Sequence, residues 1–204
     1  DKEKTASTHP VFAVGTDGAA ARFTGEVIAV VKTQSKKEYR IVAPKNMLFY
    51  EPDLRFLVTD YIPEKEELTF ICYNEKSCGA VLFTEEIENR KYILIKNMSG
   101  HVGFPKGHVE NNETEHETAH REVREETGYD IEFVGKFRTS VSYKPKPDVY
   151  KEVVYFLARV VGGEMCRQES EISRIEWVDI EKAKQIVTFE NDRHLINKAK
   201  TYIQ

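Results

Sequence analysis

The feature that most constrains the fold is a helix whose two ends are both marked in the sequence, between Thr114 and Gly128. Thr114 is followed three residues later by Glu117, which is the spacing of a capping box at the start of a helix. Gly128 follows the last residue of the pattern and can adopt the left-handed conformation that ends a helix. Ala119 and Val123 lie four residues apart. The pattern therefore predicts one amphipathic helix that packs on a core.

Three glutamates of this predicted helix, Glu122, Glu125 and Glu126, stand at positions i, i+3 and i+4. At about 100° per residue, their side chains fall within roughly 100° of arc. Like charges at this spacing repel one another, and Arg121 and Arg124 do not lie where they would pair with all three. Either this face is a solvated charged surface, as is common, or it gathers oxygen ligands for a hard cation such as Mg²⁺.

The residues before the helix favour a ligand site. Residues 104–108 read FPKGH, a turn that leads through a polar loop into the helix. Gly107 has no side chain, which lets the backbone approach a ligand or a metal ion closely. Lys106 stands where its ammonium group could meet a phosphate. We therefore interpret the glutamate face as a candidate metal site beside a phosphate-binding turn.

Residues 107–129 resemble the Nudix box, G-x5-E-x7-R-E-U-x-E-E-x-G-U, at every specified position. The matching residues are Gly107, Glu113, Arg121, Glu122, Val123, Glu125, Glu126, Gly128 and Tyr129. Within the Nudix hydrolase superfamily, the segments SCGAVLF, FPKGHVE, YKPKP and TFENDRHLINKAKTYI most resemble the asymmetric diadenosine tetraphosphate hydrolases. The looser resemblance extends from about Cys78 to Ile203, and the first seventy residues depart from these compact enzymes.

The resemblance implies a loop–helix–loop that binds Mg²⁺, with Mn²⁺ as a second candidate. The implied ligands are the side chains of Glu113, Glu122, Glu125 and Glu126 and the backbone carbonyl of Lys106. Glu113 would act through water, and Arg121 would position the glutamates by ion pairing. The implied reaction is attack of a metal-activated water on a phosphorus atom of a diphosphate.

A general base completes the implied catalytic set of Arg121, Glu122, Glu125 and Glu126. In many relatives the base is a glutamate from a loop outside the box. Glu171, six residues before Trp177, is the first candidate here, and Glu169 is the second. Glu122 is the alternative inside the box. Glu169 and Glu171 could equally be ordinary surface acids in a turn.

Residues that flank the box bear on the substrate. Tyr143 lies fourteen residues past Tyr129, near the position of a Tyr that marks the substrate in the diadenosine tetraphosphate group. Lys144 and Lys146 alternate with prolines that stiffen a loop, and with Lys106 and His108 they are predicted to bind phosphates. Packing of Tyr143 and an exposed KPKP loop are the alternatives. Phe189 could face a second adenine, but we expect it in the core.

Three functional hypotheses remain open at this point. The first is a hydrolase of a dinucleoside polyphosphate such as diadenosine tetraphosphate. The second is a Nudix hydrolase of another substrate, such as a diphosphoinositol polyphosphate, a nucleoside triphosphate or an RNA 5′ end. The third is a non-catalytic sensor that binds a nucleotide, which the intact set of glutamates argues against.

Composition limits the partners of this chain. Lys plus Arg number 30 and Asp plus Glu number 34, which gives a net charge of −4. Nucleic-acid binding is therefore not expected, because it needs a basic excess. No apolar run reaches the roughly 18 residues of a membrane span, and the three cysteines are scattered, which is typical of a reducing cytoplasm. We expect a cytoplasmic protein with a small-molecule substrate and no membrane partner.

The order of elements predicts an α/β (α+β) fold, a Nudix-type α/β/α sandwich with a mixed sheet and a β-rich N-terminal extension. Strands are predicted at residues 23–31, 38–43, 68–73, 78–83, 92–96, 131–142, 151–160 and 174–178. Helices are predicted at residues 53–61, 113–127, 180–187 and 192–203. We divide the chain into an extension, residues 1–70, and a Nudix domain, residues 71–204. The extension could pack on the Nudix core, bind a regulatory ligand, or pair an open strand edge in a homodimer.

Overall fold

A computed structural model describes most of the chain. The described residues are 9–16, 23–45, 47–84, 89–110 and 113–203. The polar sequence of residues 1–10 predicts a loose tail, and residues 1–8 lie outside the described ranges. The chain divides into two compact units, Asp1–Glu75 with Tyr143–Lys151, and Lys76–Ser142 with Glu152–Gln204. None of the helices in the described ranges is long and apolar enough to span a bilayer.

The first unit contains a small sheet and one helix. Its strands are β1 (Val11–Ala13), β2 (Glu26–Thr33), β3 (Glu38–Ala43) and β4 (Leu68–Cys72), in the order β1-β3-β2-β4. β1 runs parallel to β3, and the other neighbours are antiparallel. Helix α1 (Glu51–Val58) has Pro52 in its first turn and continues as a 3-10 turn at Thr59–Tyr61. Leu54 and Val58 of α1 share a buried apolar cluster with Val31 and Ile41 of the sheet.

A second, larger sheet carries the remaining strands. They are β5 (Asn74–Phe83), β6 (Tyr92–Asn97), β7 (Val102–Gly103), β8 (Lys106–His108), β9 (Tyr129–Lys146), β10 (Val149–Gly163) and β11 (Ile172–Val178). The order is β11-β6-β5-β10-β9, with β7 paired to β6 and β8 to β5. The remaining helices, in chain order, are α2 (Glu115–Thr127), α3 (Ile180–Ile186) and α4 (Glu190–Tyr202).

Alternate side chains of β5 face different helices. Ala80 and Leu82 share an apolar cluster with Val123 of α2. Val81, which lies between them, belongs to the cluster that contains Leu195 of α4. Successive side chains of a strand point to opposite faces of a sheet. Helix α2 therefore covers one face and α4 covers the other, which confirms the predicted mixed α/β/α sandwich and places the glutamate-bearing helix on one side of the sheet.

The prediction of a loop at the KPKP sequence was wrong. Strand β9 continues through Pro145 to Lys146, and β10 begins at Val149. Proline cannot donate to a strand ladder and is therefore confined mainly to edge strands. β9 is the last strand in the order of its sheet, so one side of it needs no hydrogen-bond donor. The segment around this hairpin turn, Tyr143–Lys151, belongs to the first compact unit.

Candidate active site

Helix α2 has the caps that the sequence predicted. The Thr114 hydroxyl accepts from the Glu117 N–H at 3.3 Å, and the Glu117 carboxylate accepts from the Thr114 N–H at 2.7 Å. This reciprocal pair satisfies two of the amides that surround a helix N-terminus. At the other end Gly128 has φ 79°, and a Cβ there would lie 2.2 Å from the carbonyl oxygen of Glu164. The two caps fix the length of the helix that carries the glutamates.

Arg121 joins the helix to the loop that precedes it. Its guanidinium donates to both oxygens of Glu113, from Nε at 2.6 Å and from Nη2 at 2.9 Å. Nη1 donates to Glu122 at 2.7 Å and to Glu125 at 3.2 Å, and Nη2 donates to the His108 carbonyl at 2.9 Å. These hydrogen bonds from Arg121 lower the pKa of Glu113 to about 2. The planar fork of an arginine can make this set of contacts, whereas a lysine cannot.

The FPKGH turn lies directly against the glutamates. The backbone N–H of Lys106 donates to Oε2 of Glu126 at 2.8 Å. A Cβ added to Gly107 would lie 2.0 Å from the carboxylate carbon of Glu122. Ordinary contacts of a Cβ atom start at 3.4 Å, so a side chain at this position would displace the carboxylate. The absence of a side chain at Gly107 is therefore what lets strand β8 pack on α2.

Two of the glutamates are held in an environment that disfavours their charge. Glu126 is 5% exposed. Burial raises its pKa to about 8, and the negative charges of Glu122 and Glu171 add to the rise, while the Lys106 N–H opposes it. Burial also raises the pKa of Glu122, against the effect of Arg121. Because neighbouring carboxylates and burial both penalise ionisation, the pair would gain from a nearby cation.

The structure distinguishes the two candidate bases. Glu171 immediately precedes β11, and its negative charge contributes to the raised pKa values of both Glu122 and Glu126. Its backbone carbonyl accepts from the Met98 N–H at 2.9 Å, which ties the turn to the end of β6. The side chain of Glu169 is 83% exposed and lies 3.8 Å from Arg167. Glu171 therefore lies close enough to the buried glutamates to affect their ionisation, and its catalytic role remains a prediction.

The residues predicted to bind substrate fall into two groups. Lys106 is half-buried beside Glu126, and His108 contributes its carbonyl to the Arg121 contacts. Tyr143, Lys144 and Lys146 lie on the hairpin segment that groups with the first compact unit. The structure thus brings Lys106 and His108 to the glutamates within one unit. The substrate role of all five residues remains a prediction.

The expectation that Phe189 lies in the core was wrong. Its side chain is 51% exposed, and its ring meets that of His101 edge-on, with centroids 5.0 Å apart. The reason is the short connection between α3 and α4. There Thr188 pairs with Val102, since its N–H donates to the Val102 carbonyl at 2.9 Å and its hydroxyl accepts from the Val102 N–H at 2.8 Å. This pairing fixes the linker along β7, where Phe189 stays at the surface.

Asp192 is a residue of this region that sequence reasoning missed. It lies in the first turn of α4 and is only 7% exposed. A Cβ on Gly103 would come within 3.2 Å of its Oδ2 atom. Burial raises the pKa of Asp192 to about 6, and the positive charges of Lys106 and Arg193 oppose that rise. An aspartate in a first helical turn usually complements the helix dipole, so nothing in the local pattern signals a buried carboxylate near Lys106.

Comparison with known proteins identifies the family. A family model described as the NUDIX domain matches residues 69–199. The chain belongs to the NUDIX domain family. It is 28% identical over 142 residues to the mouse (Mus musculus) protein bis(5′-nucleosyl)-tetraphosphatase [asymmetrical], a match that covers 63% of this chain and 95% of the mouse protein. It is also 33% identical over 99 residues to the putative mutator protein MutT4 of Mycobacterium tuberculosis, covering 47% of this chain and 40% of that one.

Solved structures share the NUDIX fold. The binary complex of a C. elegans Ap4A hydrolase aligns with a TM-score of 0.58 at 22% identity, covering 63% of this chain and 97% of the other. The NUDIX domain of Shewanella oneidensis NrtR, solved with ADP ribose, aligns with a TM-score of 0.54 at 19% identity, covering 72% and 96%. These matches confirm the predicted fold class. The family match makes this chain a Nudix-type hydrolase.

The oxygen atoms at the Nudix box fit a divalent cation. Nudix hydrolases generally use a divalent metal such as Mg²⁺. Within the described ranges, no three His, Cys, Asp or Glu side chains already stand together at a metal-binding geometry. The donor set nevertheless suits a hard cation, which prefers carboxylate and carbonyl oxygens. Glu122 and Glu126 are largely buried with raised pKa values, and a bound divalent cation would offset both burial and repulsion.

Proposed function

We propose that this Nudix hydrolase cuts a phosphoanhydride bond of a dinucleoside polyphosphate such as diadenosine tetraphosphate, with Mg²⁺ as its metal and Mn²⁺ as a substitute. The observation that carries the proposal is the carboxylate cluster of α2, with Glu126 held by the Lys106 N–H and Glu113, Glu122 and Glu125 held by Arg121. Support for the substrate comes from similarity to the mouse tetraphosphatase, which this chain covers over 95% of its length.

The residues divide the work of the proposed reaction. Glu113, Glu122, Glu125, Glu126 and the Lys106 carbonyl would hold the metal. When bound, the metal would lower the pKa of a water molecule and neutralise charge on the phosphates. Arg121 is a positioning residue, because it contacts Glu113, Glu122 and Glu125 at once. Glu171 accepts the proton of the attacking water. The new P–O bond forms as the bridging P–O bond breaks, which releases ATP and AMP from diadenosine tetraphosphate.

In this proposal Lys106 and His108 meet the phosphates next to the cleaved bond. Tyr143, Lys144 and Lys146 are also proposed to bind substrate, because their sequence resembles that of the diadenosine tetraphosphate hydrolases. Phe189 offers an exposed ring beside His101, on which an adenine could stack. Stacking of a base on an aromatic side chain contributes about 1–3 kcal/mol.

The test is product analysis over a substrate panel in Mg²⁺ and in Mn²⁺. The panel contains dinucleoside polyphosphates, nucleoside triphosphates, a diphosphoinositol polyphosphate and 5′-triphosphorylated RNA. We expect diadenosine tetraphosphate to give ATP and AMP, and Glu126→Gln to abolish turnover. Preference for another member of the panel would overturn the substrate. Binding of a nucleotide with no turnover on any member would leave the sensor hypothesis.

A matched pair of variants tests the general base. Glu171→Gln removes the proposed proton acceptor, whereas Glu169→Gln changes an exposed acid two residues earlier in the same turn. We expect kcat to fall about 100-fold or more in the first variant and to stay within about twofold in the second. Equal activity of the two variants would return the role to Glu122.

Several further features are part of the proposal. We propose a division at residue 70 into an N-terminal extension and a Nudix domain, a cytoplasmic location, and a homodimer as one role of the extension. Size-exclusion chromatography with light scattering tests the dimer, with a mass near twice 23.6 kDa expected. A mass of one chain at all concentrations would remove that role.

A further inference from the structure

We propose that a basic groove between β6, β11 and α3 binds the phosphate groups of the substrate that lie beyond the cleaved bond. The basic groove is lined by Lys96, Arg174 and Lys182 with Glu176, over a floor that includes Leu94 and Val102. Its volume is about 280 Å³, which is enough for a few phosphate groups but small for a whole drug-sized ligand. This inference rests on the proposed function, since it concerns the same substrate.

The charges of the basic groove do not cancel. One oxygen of the Glu176 carboxylate pairs with Arg174 Nε at 2.7 Å, and the other pairs with Lys182 Nζ at 3.1 Å. Arg174 lies opposite Lys96 in the pairing of β11 with β6, and within the described residues Lys96 forms no ion pair with an acidic side chain. The groove thus holds three cations and one carboxylate, in a chain whose net charge is −4. The groove is a local positive site on an otherwise acidic protein.

Two segments that line the groove are close along the chain to residues of the Nudix site. Val102, which lines the groove, is paired with Lys96 in the β6–β7 register. Lys106 follows Val102 by four residues, so the two Cα atoms lie within about 14 Å even in a fully extended chain. On the other strand, Glu171 immediately precedes β11 and stands three residues before Arg174. The groove therefore begins a few residues from both the turn that holds Glu126 and the proposed base.

Phosphate is the chemistry that suits these groups. Arginine offers a planar fork for the oxygens of a phosphate, and lysine offers a compact point charge. The carboxylate of Glu176 holds Arg174 and Lys182 in place, and its single negative charge is outweighed by the positive charges around it. A polyanion that enters the groove therefore meets net positive charge. A longer polyphosphate chain would reach further into the groove than a short one. The basic groove then sets how many phosphates the enzyme prefers.

The experiment uses the full chain and two double variants. Lys96→Gln with Arg174→Gln removes two charges of the groove. Lys136→Gln with Arg159→Gln is the matched control, because it also removes one lysine and one arginine. Arg159 pairs with Glu132 at 2.7 Å, as Arg174 pairs with Glu176, and neither control residue lines the groove. Thermal unfolding of each variant shows that the fold is kept.

Two measurements follow. The first is calorimetric binding of inorganic tripolyphosphate without any divalent metal, at about 50 mM salt, where charge interactions are screened weakly. We expect binding to weaken about tenfold or more in the groove variant and to stay within about twofold in the control. The second is kcat and KM for diadenosine tetraphosphate and diadenosine triphosphate. We expect the groove variant to lose most of its preference for the longer chain through KM, with kcat unchanged.

The outcomes separate the two proposals. No binding of tripolyphosphate by the unaltered protein, or equal binding by both double variants, overturns the groove. Unchanged KM values for both dinucleotides in the groove variant overturn it as well. Absence of any hydrolysis of dinucleotides by the unaltered protein instead overturns the proposed function, and the tripolyphosphate titration still decides whether the groove binds phosphates.

Discussion

Gly107→Ala probes the packing of the phosphate turn on α2. The added Cβ would lie 2.0 Å from the carboxylate carbon of Glu122 and 2.1 Å from each oxygen, while ordinary contacts start at 3.4 Å. The carboxylate must therefore retreat by about 1.4 Å, or the turn must move away from the helix by a similar distance. A misplacement of about 1 Å can cost roughly 100-fold in rate. We expect kcat/KM of Gly107→Ala to fall about 100-fold.

Stability should change much less than activity in this variant. Gly107 lies outside the left-handed backbone region, so alanine adds no backbone strain. The atoms that would clash with the new Cβ are the carboxylate of Glu122, at the end of a long side chain that can rotate away. This rotation breaks the partly exposed ion pair between Arg121 and Glu122. Such pairs contribute about 1 kcal/mol or less, which corresponds to a fall in Tm of about 4 °C or less.

The assay is hydrolysis of diadenosine tetraphosphate in Mg²⁺, with Tm measured on the same preparations. Gly162→Ala is the matched control, since its Cβ would meet Asp130 at 3.6 Å, an ordinary contact. We expect the control to behave as the unaltered protein. Activity of Gly107→Ala within about threefold of the control would refute the reasoning, because it would mean that Glu122 need not stay where the structure has it.

Three further predictions concern the same unit. Arg121→Lys keeps the positive charge but loses the planar guanidinium that contacts both Glu113 and Glu122, so we expect kcat to fall more than about tenfold. We also expect the acidic limb of the pH–rate profile to move to higher pH. Without metal, Glu126 has a raised pKa of about 8, so its ionisation costs stability as pH rises from about 4.5 to 8. Measured by calorimetry, Glu126→Gln should therefore raise Tm at pH 8.5 but hardly change it at pH 4.5. Phe189→Leu should raise KM for diadenosine tetraphosphate about tenfold at constant kcat, and an unchanged KM would exclude stacking there.

The features that sequence predicted well depend on neighbours close along the chain. Thr114, Glu117 and Gly128 mark the ends of α2 through contacts within a few residues, and the structure has these caps. Ala119 and Val123 face the core because their spacing follows the period of a helix, and both are fully buried. The predicted strands appear for the same reason, with ends that shift by a few residues as pairing extends them.

The features that sequence missed depend on pairing between distant segments. Phe189 is exposed because Thr188 pairs with Val102, and no local pattern reveals that contact. Asp192 comes near Gly103, and within the influence of the Lys106 charge, only after α4 has packed on the sheet. Pro145 could join a strand because β9 lies at the edge of its sheet, a position that only the complete strand order defines.

The measurement that most directly tests the central claim is a titration with Mn²⁺ followed by electron paramagnetic resonance of the free ion. It compares the unaltered protein with Glu126→Gln and with Glu169→Gln as the control. The account predicts that the unaltered protein and the control bind Mn²⁺ alike, and that Glu126→Gln binds it at least about tenfold more weakly. Equal Mn²⁺ binding by all three proteins, or none by the unaltered protein with or without nucleotide, would contradict the claim that the glutamates of α2 hold the catalytic metal.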